Sequence, residues 1–147
     1  MALHTAAETL IGSLDDRGYL ATGLGELAAI TGRSLAEMQE VLATVQTMEP
    51  CGIAARDLRE CLSLQLADGG WLERTVVSNY LDALACGQYA EIADALDVDE
   101  EDVLGVLDLI RSLNPTPGRD YNVLPTHYIT PDVTVHRQED DKLRIEL

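Results

Sequence analysis

The residue types that could carry chemistry are concentrated in one stretch, "EPCGIAARDLRECLSLQL", at residues 49–66. It contains guanidinium, carboxylate and thiol groups at Arg56, Asp57, Arg59, Glu60 and Cys61. Such groups occur in catalytic motifs, in metal sites and in surfaces that bind a protein. The stretch begins with Pro and Gly and continues with a helical pattern, so a turn should place these groups at the start of a helix.

The cysteines do not form a pattern typical of a disulfide framework or a zinc site. Cys51, Cys61 and Cys86 are odd in number, and no CxxC occurs. Cys61 shares a helical face with Leu58 and Leu62, which favours a small core residue over a nucleophile. The histidines at positions 4, 127 and 136 lie far apart, and no P-loop, GxGxxG, GxSxG or HExxH motif occurs. We therefore predict no enzymatic activity, no catalytic residue, no cofactor and no metal.

One acidic run, "DVDEED" at residues 97–102, has carboxylates at positions 1, 3 and 5 of a calcium loop. Position 6, where such a loop needs glycine, is Asp102, and position 12 is Asp108 instead of glutamate. Acidic side chains are also favoured at a helix N-terminus by the macrodipole. The run is therefore expected to begin a helix.

Apolar residues at helical spacing predict a mostly α fold that positions these groups. Helices are expected at about residues 3–14, 24–31, 71–84, 88–96 and 100–113. Two more are expected, one that opens at Ser34 and ends before Pro50, and one in the opening stretch that the "DGG" at 68–70 ends. Ser34 and Glu37 have the spacing of a capping box, and Gly32 should end the helix before them. After a loop at 119–127, "DVTVHR" and "KLRIEL" alternate apolar and polar residues and predict a short β-hairpin-like tail. The chain ends within the second predicted strand, which indicates a piece of a longer protein.

An internal repeat relates two segments at an offset of 65 positions. Residues 26–50, "ELAAITGRSLAEMQEVLATVQTMEP", align without a gap with residues 91–115, "EIADALDVDEEDVLGVLDLIRSLNP". Leu27 aligns with Ile92, and the predicted N-caps Ser34 and Asp99 also align. Each segment reads as a short helix, a tight turn and a longer helix. We call them the first and second helix-turn-helix units.

Helix-turn-helix geometry raises the possibility of DNA binding, and the charges argue against it. The second helix of the first unit carries Glu37 and Glu40 and no Lys or Arg, and residues 97–111 carry six carboxylates against Arg111 alone. A helix in the major groove needs cations near phosphates and donors for base edges. Compact packing, or a surface that binds a protein, is therefore favoured over a DNA-binding regulator, which stays as the alternative.

The whole-chain composition favours an acidic protein that binds a basic partner. The net charge is −16, which on average repels phosphate backbones and suits docking to a basic protein. No apolar run approaches the ~20 residues of a membrane span. The N-terminus lacks the basic start and long apolar run of a secretory signal. We therefore expect a cytoplasmic protein that does not associate with a membrane.

The opening stretch closely resembles the signature of the sigma-54 family of bacterial transcription factors, which is roughly "DPPG-V-ARDL-ECL-LQL". Three further stretches resemble family segments in the same order: "LIGSLDDRGYL" at 10–20, "SLNPTPGRDY" at 112–121 and "YITPDVTV" at 128–135. Cys51 stands where the family usually has Pro, Ala54 where Gly is common, and Tyr121 where Phe is usual. The resemblance covers nearly the whole chain.

The resemblance implies a helical core-binding domain that docks on bacterial core RNA polymerase. In this family the promoter complex stays closed until an ATP-driven activator remodels it, so the ATPase is the activator. The resemblance implies that the N-terminal activator-responsive region and the C-terminal promoter-reading domain of the family lie outside this sequence. The resemblance therefore implies that promoter DNA is contacted only through that missing C-terminal domain.

We expect two small helical subdomains, at residues 1–67 and 70–118, followed by a loop and β-like tail at 119–147. The fragment is expected to be a monomer that binds core polymerase. The candidate partner-binding residues are polar side chains of the opening stretch and acidic side chains of the two units. They are Arg56, Asp57, Arg59, Glu60, Glu37, Glu40, Asp99, Glu100 and Asp102.

Overall fold

The computed structural model describes residues 2–121, 134–137 and 143–146. In this part of the chain the α-helices are α1 (Ala2–Gly12), α2 (Leu24–Thr31), α3 (Leu35–Gln46), α4 (Leu58–Gln65), α5 (Trp71–Asn79), α6 (Leu81–Ala85), α7 (Tyr89–Leu96) and α8 (Glu100–Ser112). A 3-10 turn follows at Arg119–Tyr121. The predicted mostly α fold is confirmed. None of the helices described is long and apolar enough to cross a lipid bilayer.

The C-terminal part of the structure contains two short strands, β1 (Thr134–Arg137) and β2 (Leu143–Glu146). They pair antiparallel, with Val135 opposite Ile145. The expected loop at 119–127 begins with the 3-10 turn, and its residues 122–127 lie outside the described part of the chain.

The first helix-turn-helix unit contains α2 and α3, and α1 packs against both helices. Gly32 adopts the left-handed conformation (φ 67°) that ends α2, and the predicted capping box of Ser34 and Glu37 begins α3. Leu27 from α2 and Met38 from α3 are fully buried against Leu10 from α1. The periodic apolar face predicted from the sequence thus forms the core of this part.

The second unit, α7 and α8, repeats these boundaries at the predicted offset. The two short helices begin 65 positions apart, as do the two longer ones. Asp97 takes the left-handed position of Gly32, with φ 55°. Ile92 and Val103, which align with Leu27 and Met38, are fully buried in a separate core cluster with Val76 and Leu84.

A third cluster joins α4 to the second half of the chain. Leu62 from α4 and Leu66, the residue that caps its C-terminus, are buried with Val77 from α5. Leu58, which the sequence places on the same apolar face, is 45% exposed. It is the first residue of α4, directly after the N-cap Asp57, so the buried face of this helix begins at Cys61 instead.

The prediction of a single helix over residues 71–84 is wrong. The structure has two helices there, α5 and α6, which are divided at Tyr80. Tyr80 has a non-helical backbone (φ −122°, ψ 12°). The side chain of Arg59 donates to the carbonyl oxygen of Ser78 at 2.6 Å, and it also binds Asp82. A contact from α4 thus supports the break, and the local apolar pattern does not reveal it.

Candidate docking site

Three of the stretches that carry the family resemblance converge at one place, which we call the motif junction. The backbone N–H of Gly118 donates to the carbonyl of Arg17 at 2.8 Å, and that of Ala54 donates to the carbonyl of Gly18 at 2.8 Å. The hydroxyl of Tyr19 donates to the carbonyl of Pro115 at 2.6 Å. The junction therefore ties the end of the second unit to the turn after α1 and to the stretch before α4.

Two glycines allow the backbones to approach this closely. A Cβ on Gly118 would lie 2.5 Å from the backbone nitrogen of Gly18 and 2.6 Å from its Cα. Real side chains do not tolerate such distances to backbone atoms, which cannot move aside as a flexible side chain can. Gly18 also has φ 90°, which favours glycine. Both positions therefore require glycine for a physical reason that lies in the junction.

The turn that starts the opening stretch is held in an unusual backbone conformation. Gly52 has φ 90° and lies against Cys61, where a Cβ would meet Sγ at 2.8 Å. Ala54 has φ 58° and is fully buried. Glycine adopts this left-handed conformation most readily, and the small side chain of alanine still fits here.

Side chains from α4 complete the junction. Gln65 donates from Nε2 to the carbonyl of Asn114 at 2.7 Å and accepts from the Asn114 backbone N–H at 3.0 Å. This paired contact fixes the segment after α8 against α4. Burial raises the pKa of the neighbouring Cys61 thiol, so the group stays protonated near neutral pH and is a poor nucleophile. Burial, together with contact with Cys61, raises the pKa of Tyr19 to about 12.

The first two predicted site residues, Arg56 and Asp57, bind Glu60 within their own helix start. Arg56 pairs with Glu60 through Nε at 2.8 Å and Nη2 at 2.9 Å, and Asp57 caps α4 by accepting from the Glu60 backbone N–H at 2.8 Å. Burial would raise the pKa of Glu60, but hydrogen bonds from Arg56 and Gln46 outweigh it and hold the pKa below 4.5. These side chains order the local structure.

Arg59 acts over a longer distance. Its guanidinium joins α4 to the α5–α6 break through the Ser78 carbonyl at 2.6 Å and the Asp82 carboxylate at 3.0 Å. The charged groups of the opening stretch therefore bind other groups of this chain. The Arg56–Glu60 pair lies at the start of α4, and Arg59 joins α4 to the α5–α6 break.

The acidic candidates of the two units fall into two classes. Glu37 is engaged: it closes the capping box with Ser34 and pairs with Arg33 at 3.0 Å. Backbone and side-chain hydrogen bonds from Ser34 lower its pKa below 4.5. The four others are exposed, and in the described part of the chain their side chains make no hydrogen bond or ion pair. They are Glu40, Asp99, Glu100 and Asp102.

The acidic run at residues 97–102 and the cysteines are the other groups considered for chemistry. Among the described residues, no group of three His, Cys, Asp or Glu side chains is placed to hold a metal ion. Asp97, Asp99 and Glu101 lie at the turn into α8 and in its first turn, as the helix-start interpretation predicts. All three cysteines are free thiols.

Sequence reasoning did not predict the motif junction. Its contacts join residues as far as 96 positions apart, and no local pattern encodes such distances. The available signal was the occurrence of Gly18, Gly52 and Gly118, one in each of three motif stretches. Their spacing alone does not show that the stretches meet.

The comparisons with known proteins agree with this reading of the motifs. A family model described as "Sigma-54 factor, core binding domain" matches residues 2–147. The RNA polymerase sigma-54 factor of Caulobacter vibrioides is 38% identical over 148 residues, which cover 99% of this chain and 30% of the relative. Those of Rhizobium etli and Azotobacter vinelandii are each 39% identical over 96% of this chain.

The chain spans only 28–30% of the length of these three curated relatives. The stretch they share with it includes all three segments of the motif junction, because the match extends over nearly the whole chain. The fold, the junction and the family match thus concern the same residues. The chain belongs to the sigma-54 factor family, in which it matches the core binding domain.

Proposed function

We propose that this chain docks a sigma-54-type initiation factor on bacterial core RNA polymerase. The match of the core binding domain to residues 2–147 carries this proposal. The net charge of −16 supports it, because an acidic surface complements a basic protein partner better than a nucleic acid. The chain acts by binding, and the ATPase of activator-dependent initiation belongs to a separate activator.

We propose that this chain does not itself recognise promoter DNA. The second helix of each unit is the element that would enter a major groove. In α8 the first turn carries Glu100, Glu101 and Asp102, which would face phosphates with like charge. The helix-turn-helix geometry serves to pack the core, and the outer faces are available to a protein.

The nine candidate residues have different roles. Arg56, Asp57, Arg59, Glu60 and Glu37 position the helices through the contacts described above. The remaining four, Glu40, Asp99, Glu100 and Asp102, are the candidates for contact with polymerase. Their carboxylates are exposed and lack a partner in the described part of the chain, so pairing with Lys or Arg breaks no existing bond.

The division into subdomains at 1–67 and 70–118 is part of this proposal, followed by the tail at 119–147. Separate core clusters around Met38 and Ile92 support the first two subdomains. Helix α4 precedes the boundary, yet its Leu62 and Leu66 pack with Val77 after it. Helix α4 and the motif junction therefore connect the subdomains.

We further propose that the chain is a cytoplasmic monomer. Core polymerase works in the bacterial cytoplasm, so its partner must be present there. Self-association would bring together two chains that each carry a charge of −16, which is unfavourable at low ionic strength.

A titration of the 147-residue chain against purified core polymerase, with labelled duplex DNA in parallel, tests the function. We expect saturable binding to polymerase and no binding to DNA at moderate salt. Binding to DNA without binding to polymerase would overturn the proposal and favour the helix-turn-helix regulator instead. Sedimentation of the chain alone tests the monomer.

A further inference from the structure

An apolar groove runs along the α1–α3 face of the first unit, where two cavities adjoin. Their volumes are about 370 Å³ and 200 Å³, and they share Val45 and Met48. Leu14 and Ile53 line the larger cavity beside the motif junction, and Gly18 and Gly118 border it. We call this feature the α1–α3 groove.

Three large side chains stand exposed along this groove. Ile11 on α1 is 49% exposed, Met48 after α3 is 50% exposed, and Tyr121 in the 3-10 turn is 68% exposed. Single exposed apolar residues are normal on a protein surface, whereas several around one depression are typical of a binding site. A methionine side chain can also adapt its shape to a partner.

The charges around the groove identify the chemistry of its occupant. The residues that line the two cavities include the carboxylates Glu40 and Glu49, and these lining residues include no Lys, Arg or His. Asp15 and Asp16 also line the larger cavity, where Asp15 pairs with Arg17 at 3.3 Å. A groove with an apolar floor and an acidic rim complements an apolar side chain flanked by cations. Nucleic acid and a second copy of this acidic chain both carry the wrong charge for it.

We propose that the α1–α3 groove receives an apolar side chain of core RNA polymerase that is flanked by Lys or Arg. The inference rests on the proposed function and adds the face of the chain through which docking occurs. It assigns Glu40, one of the four candidate residues whose carboxylates lack a partner in the described part of the chain, to the rim of this face. The apolar contacts provide affinity, and the carboxylates orient the partner.

A matched pair of isoleucine variants tests the apolar part. Ile11→Lys places a charge at the groove. Ile30→Lys changes an isoleucine on α2 that is also exposed, at 65% against 49% for Ile11, and that lines a different surface depression. We expect the dissociation constant for core polymerase to rise about tenfold or more for Ile11→Lys. For Ile30→Lys we expect a change below about twofold, the behaviour of a residue outside the interface. Circular dichroism checks that both variants fold, and Ile11→Ser replaces Ile11→Lys if that variant is unfolded.

A second matched pair tests the charge. Glu49→Gln removes a carboxylate from the rim, and Glu26→Gln removes an exposed carboxylate from α2 outside the groove. We expect Glu49→Gln to weaken binding and to make it less sensitive to salt than the wild type, because one ionic contact is lost. Glu26→Gln should leave the salt dependence unchanged.

The outcomes separate this inference from the proposed function. Failure of the wild-type chain to bind core polymerase would overturn the proposed function. Wild-type binding with equal effects of the two isoleucine variants would overturn the groove and leave docking through another face. Loss of binding confined to Ile11→Lys and Glu49→Gln is the result we expect.

Discussion

The two helix-turn-helix units have matching backbones, whereas the side chains that stabilise them differ. In both, the residue after the left-handed position donates to the carbonyl of the aligned alanine, from Arg33 to Ala28 at 2.9 Å and from Val98 to Ala93 at 3.1 Å. In the first unit Ser34 and Glu37 form a complete capping box. In the second, Asp99 makes no side-chain cap bond.

The difference shows that one fold can be stabilised by different local means. The first unit uses directed hydrogen bonds at the start of its longer helix. The second has three acidic residues in the first turn of α8 and Arg111 in the last, an arrangement that the helix macrodipole favours. The shared part is the buried apolar face, so the core determines the fold, and the caps adjust its stability.

The largest effects should come from the aligned core positions. We expect Leu27→Ala and Ile92→Ala each to lower the free energy of unfolding by about 2–5 kcal/mol, because each side chain is fully buried. Chemical denaturation of both variants measures the losses. A loss below about 1 kcal/mol at either position would show that the two cores are not equivalent.

A smaller loss of stability is expected from substitutions at the motif junction, where the segment after the second unit meets the turn after α1. Gly118→Ala forces a Cβ onto the Gly18 backbone and should lower stability by about 1–3 kcal/mol. Gly105→Ala in α8 is the matched control, since nothing lies within 4 Å of its Cβ position. It should raise stability by up to about 1 kcal/mol through helix propensity. Thermal unfolding of both variants tests the sign of each stability change. A Gly118→Ala variant as stable as the wild type would contradict the close approach of the Gly18 and Gly118 backbones.

Opposite signs are expected at the two left-handed positions. Gly32→Ala should destabilise the first unit by about 1 kcal/mol, because a Cβ is unfavourable in that conformation. Asp97→Gly should stabilise the second unit by a few tenths to about 1 kcal/mol, since glycine favours it. Equal signs in thermal unfolding would contradict the equivalence of the two turns.

The smallest effects concern the caps and their response to pH. Ser34→Ala should cost about 1 kcal/mol, and Asp99→Ala less, because only Ser34 makes a cap bond. The pKa of Glu37 is lower in the folded chain, so its contribution is present above pH 4.5 and is lost as the pH falls through the folded pKa. Unfolding temperatures measured from pH 6 to pH 3 should show a weaker acid dependence in Ser34→Ala than in the wild type.

Much of the fold could be predicted because its signals are local. The bounds of α2, the capping box of Ser34 and the left-handed Gly32 all follow from residues within one or two helical turns. The helices at α7 and α8 were predicted from their own apolar pattern, and the offset of 65 positions related them to α2 and α3. Apolar periodicity is reliable here because each unit buries one face of each helix.

The features that were missed depend on contacts between distant segments. The break at Tyr80 depends on Arg59, which lies 19 positions before the Ser78 carbonyl that it binds. The exposure of Leu58 depends on where the Asp57 cap begins α4. For the candidate site, the motif stretches could be identified from the sequence, but their contact with one another could not be predicted. Nor could it show that Arg56, Arg59 and Glu60 are engaged within the chain.

The backbone hydrogen bond from Gly118 to Arg17 also affects the order in which the parts of the chain fold. With the Tyr19–Pro115 contact, it closes a loop of 96 residues that contains both units. Closing a flexible loop of that length would cost roughly 4 kcal/mol of chain entropy. The helical units depend on near-neighbour contacts and should form first, with closure late on the folding pathway. Substitutions at Gly118 should therefore accelerate unfolding and leave the refolding rate nearly unchanged.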